Sequence, residues 1–215
     1  MKSYLKPVSR SGCECQPEQL SAIPSSLDPS LVLLLEDLDN RILWLNSAIG
    51  KENLDIIRYI QSFNREDMGI PVSERKPIRI MIHTHGGDLE VALSIVDAIL
   101  TSSTPVITIN MGTAASGGFF ILLAGSSRYC TQHSSAMVHP GSAKFDGTFD
   151  QFRTFTADYE RTINDLKEYI LSRSTLDGEQ LGRLWGSDMY LSPAEQVRYG
   201  IVNQIIAAEN KSVLL

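Results

Sequence analysis

Cysteine is scarce in this sequence. There are three in 215 residues: Cys13, Cys15 and Cys130. The count is odd, and no apolar stretch follows Lys2 and Lys6 to act as a secretory leader. Both features point to a reducing compartment, and a cytoplasmic location is expected. Cys13-Glu-Cys15 has the form of half a metal site. No second Cys or His pair follows at zinc-finger spacing, so no metal is expected there. Long apolar runs are also lacking. Leu31–Leu35 is far shorter than the about 20 residues a membrane span needs. Positive charge is in deficit, with 19 Lys+Arg against 25 Asp+Glu and a net charge of −6. That argues against nucleic acid or an anionic membrane as a partner. Three catalytic signatures are missing: a Gly-x-x-x-x-Gly-Lys phosphate loop, a Gly-x-Ser-x-Gly elbow and a His-Glu-x-x-His metal helix.

What is present is an ordinary globular composition, 43% hydrophobic and 20% charged, long enough for one substantial core. No internal repeat or linker is visible. Residues 1–30, with Pro7, Pro17, Pro24 and Pro29, read as a flexible N-terminal arm. Leu31–Leu35 and Arg41–Asn46 read as strands, and Asn53–Phe63 as a helix. Asn64–Pro77 reads as a charged loop. The stretch Ile78–His83 reads as a strand, Leu89–Leu100 as a helix, Val106–Met111 as a strand and Ser116–Ala124 as a buried helix. Arg128–Cys130 and Ala136–His139 read as short strands. The periodicity predicts the longest helix over Asp150–Ser172, with Phe152, Phe155, Tyr159, Ile163, Leu166 and Ile170 on one stripe. Further helices are expected over Leu176–Trp185 and from Ser192, which opens a capping box closed by Glu195. Gly200 ends that helix, and Ile201–Ile206 reads as a closing strand. Strands alternating with helices imply an α/β domain with parallel sheet. Residues 31–208 form that domain, and 209–215 a C-terminal tail.

The chemistry centres on Met111-Gly-Thr-Ala-Ala-Ser-Gly-Gly-Phe-Phe120. Ser116 stands at a strand-to-helix turn among residues with almost no bulk. Backbone N–H groups point outward there, and a helix N-terminus favours negative charge. Such a turn can hold an oxyanion, and small neighbours let a substrate backbone approach. A plain tight turn would also want small residues.

A serine needs a base and an orienting acid. His133 reads as a loop histidine. His139 ends an apolar strand just before Pro140, where ligands of parallel sheets gather. Asp188 lies in a short link between two helices. His83 and His85, two apart with Asp88 nearby, could bind a metal, but the segment also reads simply as a strand end and a turn.

Three stretches, Met111–Gly118, Ala136–Pro140 and Asp188–Glu195 with Tyr199–Asn203, resemble the Clp protease proteolytic subunits, the ClpP family. They occur in that family's order and span Leu31 to Ile206. The resemblance implies a ClpP/crotonase-type fold of repeated β-β-α units, with a long protruding handle helix from Asp150. It implies a serine endopeptidase with Ser116 as nucleophile, His139 as general base and Asp188 orienting His139. The family's oxyanion hole falls on the amides of Gly87 and Gly117. Two stacked heptameric rings enclosing a chamber are implied, fed with unfolded protein by a partner AAA+ unfoldase of the ClpX, ClpA or ClpC type. ATP would be used by that partner, leaving this chain without a cofactor.

The chain departs from the family in places. His83-Thr84-His85 stands where Asn-Ser-Pro is usual, and Gly186-Ser187 replaces an Asp-Arg pair linked to contacts between rings. Asp67–Pro77 reads as an insertion. Two alternatives remain on these residues. One is a Ser-Lys peptidase of the SppA kind, with Lys144 as the base. The other is a catalytically inactive structural ring subunit.

Overall fold

The computed structural model describes residues 28–142, 144–186 and 188–214. The described residues from Asp37 onward form one compact unit. The expected arm over 1–30 therefore falls almost wholly outside the described residues.

Helix α1 (Pro29–Asp39) replaces the strand expected at Leu31–Leu35. Asp28 accepts from the Ser30 amide at 2.9 Å. Pro29 takes the first helical position, where its missing N–H costs nothing. A five-residue apolar run cannot fix its own period, and the cap decides it.

A parallel sheet carries the rest. Strands β1 (Ile42–Leu45), β2 (Ile78–Thr84), β3 (Val106–Ala115), β4 (Ser127–Cys130) and β7 (Gln204–Ile205) lie in the order β1-β2-β3-β4-β7. Helices cover the sheet, so its strands read as near-continuous apolar runs. Ile78, Ile80, Met81 and Ile82 are all buried. β7 is shorter than the strand expected over Ile201–Ile206. The amides of Ile201 and Val202 turn back to the Gln196 carbonyl.

β3 changes partner partway along its length. Residues Ile107–Asn110 pair with β4. Thr113–Ala115 pair instead with β5 (Ser135–Met137). The fork between β4 and β5 is filled by two fully buried amides, Asn110 and Gln196. Asn110 Nδ2 donates to the Ser135 carbonyl at 2.8 Å and to Gln196 Oε1 at 3.1 Å. Gln196 Nε2 donates to the Leu191 carbonyl at 3.1 Å. A buried amide left unpaired would cost about 1–3 kcal/mol, so this network fixes the geometry of the fork.

Helices α2 (Asp55–Glu66) and α3 (Leu89–Leu100) each bury one face, through Ile56, Ile60 and Phe63 in the first and Val91, Ile95 and Ile99 in the second. Helix α4 (Gly117–Ala124) is buried at every residue, as its all-round apolarity requires. Its last carbonyls are met by cations. Arg173 donates to the carbonyls of Leu123, Ala124 and Gly125 at 2.7, 3.2 and 2.9 Å. Arg128 adds a longer bond to Leu123 at 3.4 Å. Guanidinium groups at a helix C-terminus satisfy both the orphan carbonyls and the dipole.

Helix α5 (Phe149–Arg173) has 25 residues and is about 37 Å long at 1.5 Å per residue. Thr148 and Gln151 cap it reciprocally. Its apolar stripe divides. Leu166 and Ile170 are buried, whereas Phe152 is 48% exposed. After α6 (Gly178–Trp185), strand β6 (Tyr190–Leu191) pairs antiparallel with β5, and α7 (Pro193–Arg198) follows.

The segment read as a charged insertion is anchored. Asp67 is 2% exposed and accepts from both Arg41 guanidinium nitrogens, at 2.7 and 2.9 Å, and from Thr104 Oγ1 at 2.6 Å. The Arg41 contact, more than any other, holds the Asp67 carboxyl below the usual carboxylate range. Arg75 ties the segment to the Ser103 carbonyl at 2.6 Å.

Candidate active site

Ser116 leaves the end of β3 with φ +54 and ψ −121, as the N-cap of α4. Among the described residues, the non-glycine positions with positive φ are Arg41, Ser116 and Asp188. Such a conformation costs a non-glycine residue about 1–3 kcal/mol and persists only where the surroundings impose it. Here the Ser116 amide donates to the Met137 carbonyl at 2.9 Å, continuing the β3–β5 ladder. An N-cap serine normally turns its hydroxyl back to the helix amides. Ser116 makes no such cap bond. Its Oγ lies 3.0 Å from His139 Nε2 instead.

Strand register delivers the other two groups. β5 and β6 pair Ala136 with Leu191 and Met137 with Tyr190. Extending that antiparallel register by two residues sets His139 opposite Asp188. His139 Nδ1 is 3.6 Å from Asp188 Oδ1, within ion-pair reach and outside hydrogen-bond range. The Asp188 side chain is 69% exposed. With Nδ1 facing a carboxylate, the neutral ring favours the tautomer that leaves Nε2 as the acceptor toward Ser116.

The turn after β2 closes the third side. Thr84 Oγ1 donates to the Ser47 carbonyl at 2.6 Å and accepts from the Gly86 amide at 3.1 Å. The Gly86 carbonyl accepts from the Ile49 amide, and the Asp88 amide donates to the Ile49 carbonyl, both at 2.9 Å. Backbone alternation across this bridge turns the Gly87 amide the opposite way, and Gly87 lines the cavity that holds Ser116 and His139. Only glycine fits this turn. A Cβ on Gly87 would stand 2.3 Å from the Ile49 carbonyl oxygen, and one on Gly86 would stand 2.6 Å from Ser116 Cβ. Gly117, the first residue of α4, has an amide among those a helix leaves without an internal acceptor.

The cavity measures about 620 Å³. Leu93, Phe120, Met137 and Leu166 give it an apolar side, and Phe155 and Tyr159 of α5 form a wall. Besides His139, the carboxylate and imidazole side chains that line it are those of His85, Glu90 and Asp158. Behind Phe120, the Tyr169 hydroxyl donates to the Phe120 carbonyl at 3.2 Å. Burial pushes the Tyr169 phenol up to about 12. Cys130 is buried, and burial raises its thiol as well. A thiol held protonated in that way is a poor nucleophile.

The other candidates lie elsewhere in function. Asp88 Oδ1 caps α3 through the amides of Glu90 and Val91 at 2.9 and 3.2 Å. The His83 ring packs over Gly112. Among the described residues no group of three potential metal ligands comes together, and no helix is long and apolar enough to cross a membrane. The hydroxyl partner of Ser116 is His139 rather than Lys144. Sequence reasoning placed Tyr159 only on the apolar stripe of α5, and it missed the pair Asn110 and Gln196. Their burial, which only the fold supplies, is what marks that pair.

A serine hydroxyl on an imidazole, beside a glycine turn at the ends of parallel strands, defines a serine peptidase site. Comparison with known proteins gives the group. The family model "Clp protease" matches residues 37–209. A Rhodopirellula baltica protein, "ATP-dependent Clp protease proteolytic subunit 1", is 29% identical over 175 residues, covering 79% of this chain and 73% of the relative. A Treponema pallidum "ATP-dependent Clp protease proteolytic subunit 2" is 27% identical over 172 residues, covering 79% of this chain and 83% of the relative. A solved ClpP1 variant from Listeria monocytogenes shares the fold with a TM-score of 0.70 at 24% identity, covering 83% of this chain and 98% of that one. The chain belongs to the Clp protease family.

Proposed function

We propose that this chain is the proteolytic subunit of an ATP-dependent Clp protease, cutting unfolded polypeptides with Ser116, His139 and Asp188. The 3.0 Å approach of His139 Nε2 to Ser116 Oγ carries the reading. As a peptide carbonyl enters beside Ser116, Nε2 takes the hydroxyl proton and Oγ attacks the carbonyl carbon. The oxygen becomes an oxyanion, stabilised by the amides of Gly87 and Gly117. The imidazolium is stabilised by Asp188. It then gives its proton to the leaving amine, and the acyl-enzyme remains. Water activated by the same imidazole releases the acid and restores Ser116. The chain itself needs no cofactor, and ATP is consumed by an AAA+ unfoldase that delivers substrate.

The proposed assembly is two stacked heptameric rings of this chain, with α5 as the handle between them and the sites inside the chamber. Relatives named as proteolytic subunits of an ATP-dependent protease support the coarser reading, an assembly that works with a partner using ATP. The proposed location is the cytoplasm.

The test combines a fluorophosphonate probe with hydrolysis of a short fluorogenic peptide. Wild type should label and turn over, Ser116→Ala should do neither, and Lys144→Ala should behave as wild type. Loss of activity in Lys144→Ala with full activity in His139→Ala would establish a Ser-Lys enzyme instead. Wild type that neither labels nor hydrolyses would make it a structural ring subunit. Native mass spectrometry reads the assembly, and a monomer or dimer would exclude a chambered protease.

A further inference from the structure

Tyr159 of α5 takes no part in the chemistry above, yet it holds the chain next to the base. Its hydroxyl donates to the Pro140 carbonyl at 2.6 Å. Pro140 directly follows His139. The next residue, Gly141, has φ +80, and a Cβ there would stand 3.5 Å from the same hydroxyl. The phenol therefore lies against both residues that leave the histidine.

The ring that carries this hydroxyl is itself fixed. Tyr159 stacks on Phe155 with centroids 6.0 Å apart, and Phe155 stacks on Phe145 at 5.1 Å. Phe145 also meets Phe152 at 5.7 Å. These four rings bind the segment after His139 to the side of α5, and each aromatic pair stabilises beyond its area burial.

His139 needs such support. Strand β5 ends at Met137, two residues before it. Its contact with Asp188 spans 3.6 Å to a largely exposed carboxylate. Pro140 has no N–H to anchor the turn, which leaves its carbonyl as the backbone group to hold.

We infer that Tyr159 is a positioning residue. Its bond to the Pro140 carbonyl fixes the turn at His139–Gly141 and so aims Nε2 at Ser116. The inference rests on the peptidase reading above. Tyr159 and Phe155 also line the substrate cavity. A substrate side chain seated there presses on the ring whose hydroxyl steadies the base.

The test is Tyr159→Phe, which keeps the ring, its stacking and the cavity wall and removes only the donor. It should lower kcat about tenfold, with KM within about twofold of wild type. Tyr159→Leu also removes the wall, so its KM should rise as well. If Tyr159 matters only for packing, Tyr159→Phe matches wild type in kcat, and the proposal fails. A crystal structure of Tyr159→Phe gives a second readout independent of turnover. The expected result is a His139 ring displaced from Ser116 or split between rotamers. An unchanged turn with the 3.0 Å contact intact overturns the proposal whatever the activity. Failure of the peptidase reading shows separately, as Ser116→Ala hydrolysing peptide as fast as wild type.

Discussion

Gly86→Ala is the sharpest perturbation available, because one methyl group meets the nucleophile directly. The added Cβ would stand 2.6 Å from Ser116 Cβ, 2.9 Å from the Ala115 carbonyl oxygen and 3.1 Å from Ser116 Oγ. Ordinary carbon contacts begin near 3.4 Å, so the two segments must part by about 1 Å. Gly86 also has φ +100, which adds about 1–3 kcal/mol of backbone strain for alanine. Overpacking costs about 1–3 kcal/mol more. The sum, about 2–6 kcal/mol, lies within the about 5–15 kcal/mol a domain commonly holds. The variant should therefore fold, with Tm lowered by about 5–20 °C. A 1 Å displacement at a reacting centre costs about 10²-fold in rate. The assay is kcat/KM on a fluorogenic peptide, with the rate of fluorophosphonate labelling as a direct measure of Ser116. Gly182→Ala is the control. It lies inside α6 with nothing within 4 Å of the new Cβ, and should leave activity unchanged while raising stability by up to about 1 kcal/mol. Gly86→Ala within threefold of wild type in both rates would refute the tight abutment of this turn on the nucleophile.

Other substitutions test separate links. Asp188→Asn should lower kcat about five- to thirtyfold, because a carboxylate 3.6 Å away and 69% exposed stabilises the imidazolium by only about 1–2 kcal/mol. A loss below threefold in steady-state kinetics would remove Asp188 from the site. The Asp67 carboxyl is held below its usual range, chiefly by its hydrogen bonds from Arg41. A carboxylate lowered in the folded state adds stability that is present above the unfolded value near 3.9 and lost as pH falls through the folded one. Denaturant midpoints of wild type should therefore drop steeply below pH about 4. Asp67→Asn should be less stable at pH 7 by about 3–5 kcal/mol and flatter in acid, and an equal acid slope in both would contradict this. Arg173→Met strips three bonds from the end of α4 and should cost about 2–4 kcal/mol in urea unfolding. A cost under 1 kcal/mol would show those carbonyls to be satisfied otherwise.

The long elements were legible because each has a single dominant period. β2 is a run of buried branched residues, and α5 repeats at three and four. The short elements were not. Two-residue strands such as β6 have no periodicity, so the pairing that sets His139 opposite Asp188 could not be read from composition. The error at Leu31–Leu35 has the same cause, an apolar run too brief to distinguish the two periods. Ser116 was visible as a hydroxyl among glycines at a strand end. Its strained backbone was not, because φ +54 is imposed by the ladder to Met137 rather than by the serine itself. In sequence the α5 stripe reads as one continuous apolar surface. The structure divides it, with its lower half in the core and its upper half against the turn after His139.

The change of partner along β3 has a consequence for how activity can be lost. The end of β3 that bears Ser116 is paired through three residues of β5, and β5 is paired to β6 through only two. The stretch farther back is sandwiched between β2 and β4. Fluctuation that melts the short β5–β6 pairing would part imidazole from carboxylate and leave the main sheet standing. Amide exchange would register this as fast deuteration of residues 135–137 and 190–191 over a protected 106–110. Such a molecule is silenced reversibly, far below the temperature at which it unfolds.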